Sequence, residues 1–133
     1  MKKIIAVALV TLTLGGCAQL QAVSGGLSLV TKSIANPVTE NELYQIEASI
    51  NILVTGLVAY RRACLAGNAD KNCRANILAI QPYTKEAEVY IPQLRRFVRN
   101  NDQINAANLY NTISELYVNA KQTALRLGVN LGG

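Results

Sequence analysis

The chain has no histidine and no tryptophan, and Phe97 is its only phenylalanine. Without histidine, the base that most often activates a serine or cysteine nucleophile is missing. With only three cysteines besides, no four-ligand set for zinc can be assembled. No metal and no cofactor is expected. A core with no tryptophan and one phenylalanine must be mainly aliphatic. Charge is sparse, 16% of residues, with a net charge of +5. So mild a positive balance makes no case for nucleic acid. There is no strand-like alternation and no repeat of fixed period. The apolar run from Ile4 to Leu14 falls short of the ~20 residues a transmembrane helix needs.

That run has another use. Lys2 and Lys3 precede it, and Leu14-Gly15-Gly16-Cys17 follows it. A positive start, a short apolar middle and small residues describe an export signal. The ending in Leu-Gly-Gly-Cys resembles the lipobox of bacterial lipoproteins. The resemblance covers about the first twenty residues and leaves the fold beyond them open. It implies a diacylglycerol on the Cys17 sulfur, cleavage between Gly16 and Cys17, and a third acyl chain on the new amino group. A triacylated cysteine would anchor stably, since one chain alone binds reversibly. In Gram-negative lipoproteins an aspartate after the cysteine favours the inner membrane. Ala18 stands there, which points to the outer membrane, lipid-anchored and facing the periplasm.

Four regions are expected. Residues 1–16 are the signal and 17–38 the lipidated N-terminus and tether. Residues 39–128 form a helical domain and 129–133 a fraying tail. Lys2 and Lys3 leave with the signal, so the net charge falls from +5 to +3. Cys17 is consumed by lipid, leaving Cys64 and Cys73. An even pair in an oxidising compartment reads as a disulfide; two free thiols are the alternative.

Hydrophobic spacing gives the architecture. Leu27 to Ala35 has apolar residues for one short amphipathic segment. Asn36-Pro37 ends whatever precedes it. Thr39 with Glu42 forms a capping box, and Val38 with Leu43 a hydrophobic staple. Leu43, Ile46, Ile50, Leu53, Leu57, Tyr60 and Cys64 then follow at three- and four-residue steps, one face of a helix. Gly67 suits its end. A second helix starts near Asp70, with Cys73, Ile77, Ile80, Thr84, Ala87, Ile91, Leu94 and Val98 on its seam. Pro82 and Pro92 predict a kink or break near Gln81-Pro82. Asn100-Asn101-Asp102 makes a turn and cap. A third helix carries Ala106, Leu109, Ile113, Leu116, Ala120, Ala124 and Leu127. The expected fold is an all-α, antiparallel three-helix bundle. Cys64 and Cys73 fall at facing ends of the first two seams.

Three features are candidates for function. Glu40, Glu42 and Glu47, and Glu86 with Glu88, are paired carboxylates; acids at a helix N-terminus and on a solvated face explain them as well. Arg61, Arg62, Lys71, Arg74, Lys121 and Arg126 gather at one end of the bundle. They suit an acidic partner or anionic cell-wall or lipid groups, or simply complement helix ends. At the other end Arg95, Arg96 and Arg99 face Glu40, Glu42 and Asp102. The outer row of the third helix, Asn105, Asn108, Thr112, Glu115, Asn119 and Gln122, is nearly uncharged. Tyr110 and Tyr117 are expected to flank it, as amphipathic aromatics do at interfaces.

Together these features imply a small non-enzymatic envelope lipoprotein that holds or guides another envelope protein. In size and disulfide it looks similar to the small helical lipoproteins that pilot secretins, by class only. An exclusion or immunity lipoprotein of phage or plasmid origin, blocking a surface component, is the alternative.

Overall fold

The computed structural model describes residues 31–67 and 71–132. The Leu14–Cys17 signal end, the tether up to residue 30 and the Asn68–Asp70 loop lie outside the described residues. Among those described there are three helices and no strand: α1 Glu40–Leu65, α2 Cys73–Arg99 and α3 Gln103–Arg126. They form an all-α three-helix bundle. Tyr60 of α1 is bonded to Asn76 of α2, and Glu47 to Arg95, so the two helices run antiparallel.

Local chemistry sets the helix limits. Thr39 Oγ1 accepts from the Glu42 amide at 3.2 Å, and the Glu42 carboxylate accepts from the Thr39 amide at 2.9 Å. Val38 and Leu43 are both buried in the core. α1 stops at Ala66, and Gly67 takes a positive φ of 76°. α2 begins at Cys73, later than the expected start near Asp70, with Asn72 as its cap residue. It ends in a Schellman turn: Asp102 N donates to Phe97 O at 2.9 Å and Asn101 N to Val98 O at 3.1 Å. Asn101 supplies the left-handed residue, with φ 56°. Asp102 then caps α3 through the Asn105 amide.

The expected break at Pro82 does not occur. α2 is continuous across Pro82 and Pro92. Both prolines are exposed, as are Leu78 and Glu88, whose carbonyls each ring deprives of a donor. These turns lie on the exposed side of α2, where water can replace the lost bonds. The cost is therefore borne at the surface and not in the core.

The core is aliphatic. Ile46, Ile50, Leu53, Ile80, Leu94 and Ile113 are fully buried. α2 packs on both neighbours, whereas α1 and α3 touch only slightly. The groove between them is filled by the segments before α1 and after α3. Residues 31–38, expected to be part of a tether, form a non-helical strap along it. Lys32 is 5% exposed. Its amide donates to Asn111 Oδ1 at 2.8 Å and its carbonyl accepts from Asn111 Nδ2 at 3.0 Å. Val38 N donates to Gln103 Oε1. The described part of the expected amphipathic segment is thus not helical, and its Ile34 faces solvent.

The tail corrects another expectation. Val129 and Leu131 are buried instead of fraying. Gly128, with φ 69°, closes a second Schellman turn in which Val129 N donates to Ala124 O at 2.8 Å. The reversal sends the tail back along the groove, where the Leu131 backbone lies directly against Gly56 of α1.

Cys64 and Cys73 are joined in a disulfide, with Cα atoms 5.9 Å apart. Closing so short a loop contributes about 2.5–3 kcal/mol by loop entropy.

Candidate functional site

The disulfide lies in the wall of a cleft of about 670 Å³ between the end of α1 and the start of α2. Leu65, Ile77, Leu78 and the two cysteines give it an apolar lining. Arg61, Lys71 and Arg74 line it as well, and no described acid does. None of the three cations is in an ion pair among the described residues. The two leucines stand well out into water, Leu65 81% exposed and Leu78 59%. Helical spacing puts Arg61 beside Leu65, and Arg74 beside Leu78, each one turn apart. The crosslink fixes the two pairs opposite one another.

The structure therefore brings three of the expected basic residues together, Arg61, Lys71 and Arg74. Arg62 is exposed but does not line the cleft. Lys121, on α3, instead donates to the Gly132 carbonyl of the tail at 3.4 Å. At the opposite end the expected pairing is different. Arg95 binds Glu47 through Nε at 3.0 Å and Nη2 at 2.7 Å, and Glu42 is held by Lys32. Glu47 is one turn beyond Glu42, so it meets α2 a turn above its C-terminal end.

The outer row of α3 is only partly available. Asn105, Asn108, Glu115, Asn119 and Gln122 are exposed. Asn105 Nδ2 is engaged by Asp102 at 2.7 Å, and the Thr112 hydroxyl donates to Asn108 O at 3.0 Å. Tyr110 and Tyr117 do not flank this row. They are 1% and 5% exposed and belong to the core. α3 carries few large aliphatics, so its small residues Ala106, Ala107 and Ala120 leave room that the two rings occupy.

The carboxylates have structural employment. Burial would raise the pKa of Glu42, but hydrogen bonds from Lys32, the Thr39 amide and the Thr39 hydroxyl, with the Lys32 charge, outweigh it and hold the pKa below its ordinary value. A lowered folded value contributes stability above the unfolded pKa, and that stability is lost as pH falls through the folded one. Glu42→Gln is expected to cost roughly 1–2 kcal/mol at neutral pH, by weakening the cap and leaving Lys32 without a counter-charge. The difference from wild type should shrink between roughly pH 5 and pH 3. Urea melts at a series of pH values test this; a constant difference would mean that the carboxylate's charge does not matter. Glu86 accepts from the Tyr90 hydroxyl at 3.1 Å, which raises the Tyr90 pKa.

Among the described residues no group of three His, Cys, Asp or Glu is placed to hold a metal ion. α1 has the length and composition to cross a membrane, a test that core helices also pass. No protein-family model matches the chain, and no curated protein or solved structure matches it either.

Sequence reasoning missed Lys32, Gly56, Asn76 and Asn111. Asn76 is buried, and its amide donates to the Tyr60 hydroxyl at 3.0 Å. Only Gly56 carried a signal, since an isolated glycine inside a helical pattern marks a close approach.

Proposed function

We propose that the chain is an exported lipoprotein, anchored in the outer membrane through Cys17, that acts without catalysis by binding another envelope protein. The observation that carries the anchor is Leu14-Gly15-Gly16-Cys17 behind a charged, apolar leader. Ala18, in place of aspartate, supports the outer membrane. The Cys64–Cys73 disulfide is in keeping with an oxidising compartment. A binding role is supported by the cationic cleft, whose three charges are in no ion pair among the described residues. The Asn108–Asn119 side of α3 is a second candidate face. Its amides are exposed and nearly free of charge, which suits a protein contact better than a solubilising surface.

Two measurements test this reading. Wild type should incorporate labelled palmitate and fractionate with the outer membrane, and Cys17→Ser should lose both. Incorporation by Cys17→Ser would sink the lipoprotein assignment. In-cell photo-crosslinking from Asn108, Asn119 and Arg74 should capture one discrete envelope protein. Capture of bulk envelope components alone would favour a passive surface role, such as exclusion.

A further inference from the structure

We infer that the cleft at the disulfide end is a docking site for an acidic protein segment carrying a large aliphatic side chain beside its carboxylates. The inference rests on the protein-binding reading above for the class of partner, and on the cleft itself for the chemistry.

Two properties of the cleft have to be matched together. Its lining holds three cations from separate parts of the chain: Arg61 on α1, Lys71 on the connection and Arg74 on α2. The same lining carries apolar surface, with Leu65 and Leu78 as its most exposed members. A bare inorganic anion would satisfy the cations and leave the leucines wet. A purely apolar ligand would cover the leucines and strip water from three cations without compensation, which is unfavourable. Carboxylates flanking an aliphatic side chain satisfy both. The volume, about 670 Å³, is that of a pocket for a short run of side chains and not of an extended interface.

A protein segment fits better than a membrane. A bilayer surface presents headgroups over a broad front and is met by a flat or convex face, whereas these groups enclose a concavity. The disulfide gives the site its rigidity. It fixes the last turn of α1 against the first turn of α2, so the cations are held apart before the ligand arrives and less ordering is needed on binding.

The test uses the full oxidised chain in neutral maltoside micelles and three fluorescein-labelled peptides. One alternates glutamate with leucine, one glutamate with serine, and one lysine with leucine. Vesicles of phosphatidylethanolamine and phosphatidylglycerol are run in parallel. Anisotropy should show saturable binding of the first peptide only. Arg74→Glu and Leu78→Ser should each weaken it about tenfold or more, while Lys85→Glu, elsewhere on α2, should not. Arg74 and Leu78 are exposed, so the circular dichroism of both variants should match wild type. The proposal is overturned by binding that ignores Arg74→Glu, by equal binding of the glutamate–serine peptide, or by no peptide binding. Vesicle binding that depends on Arg74, without peptide binding, would overturn it in favour of a membrane contact. None of these outcomes depends on whether Cys17 is lipidated, so failure of the site and failure of the anchor assignment are separable.

Discussion

Gly56→Ala should destabilise the protein by about 2–3 kcal/mol, the cost of overpacking against backbone. Helix propensity alone predicts the opposite sign. Glycine in a helix interior is worse than alanine by about 1 kcal/mol, so an unobstructed replacement would stabilise α1. The obstruction is specific. A Cβ at position 56 would fall 1.9 Å from the Leu131 carbonyl oxygen and 2.5 Å from its carbonyl carbon. These are main-chain atoms, so no rotamer change relieves the clash. Either α1 shifts away from its seam or the tail undocks and exposes Val129 and Leu131. Removing residues 129–133 provides the control. In that background the same substitution should turn stabilising, by roughly 0.5–1 kcal/mol. Urea denaturation of the four proteins completes the cycle. An unchanged sign in the truncated background would show that the tail does not lie on Gly56.

Tyr110→Ala should cost about 3–5 kcal/mol, as large-to-small replacements of buried aromatics do. Tyr110 is the largest side chain that is fully buried. Its ring also lies 5.9 Å from the Lys32 ammonium, a cation–π contact that helps hold the strap. Burial raises the Tyr110 pKa, with the Glu42 charge adding to the effect and Ser114 opposing it. The ring is thus neutral throughout the physiological range. Tyr110→Phe keeps the ring and should cost far less, about 1 kcal/mol for a hydroxyl hydrogen bond. The measurement is the urea midpoint of each variant at an unchanged denaturant slope. If Tyr110→Ala kept the wild-type midpoint and lost only partner capture, the ring would be an interface group and its place in the core would be wrong.

Both predictions concern features that connect distant parts of the chain, and such features were the least legible in the sequence. The seam of α1 could be read because apolar residues at three- and four-residue steps can bury only one face. The Thr39–Glu42 cap was legible because both partners lie within one turn. The disulfide followed from an even pair of cysteines in an expected oxidising compartment, and their place at facing ends of adjacent seams agreed with it. Tyr110 and Tyr117 were misread for a related reason. Tyrosine suits both an interface and a core, and periodicity on α3 cannot choose when alanines leave the aliphatic stripe thin. Of the kink or break expected near Pro82, the break is absent because a proline's cost depends on which face of α2 it occupies.

The candidate site divides in the same way. That basic residues gather at the disulfide end was visible from helix order and connection length. That Arg61, Lys71 and Arg74 share one cleft with Leu65 and Leu78, while Arg62 and Lys121 lie outside it, was not. Membership depends on the rotation of two helices about their axes, which a crosslink sets and a sequence does not display.

The sequence alone determined the three helices, the caps of α1 and α3, their antiparallel order and the crosslink. Each of these follows from interactions a few residues apart, or from a pattern repeated along one element. Tertiary structure alone decided that α1 and α3 stand apart, and that Lys32, Val38, Val129 and Leu131 fill the space between them. A strap and a tail have no periodicity to announce them. They become part of the core because the bundle leaves a groove of the right width, and burying apolar surface there is more favourable than leaving it wet.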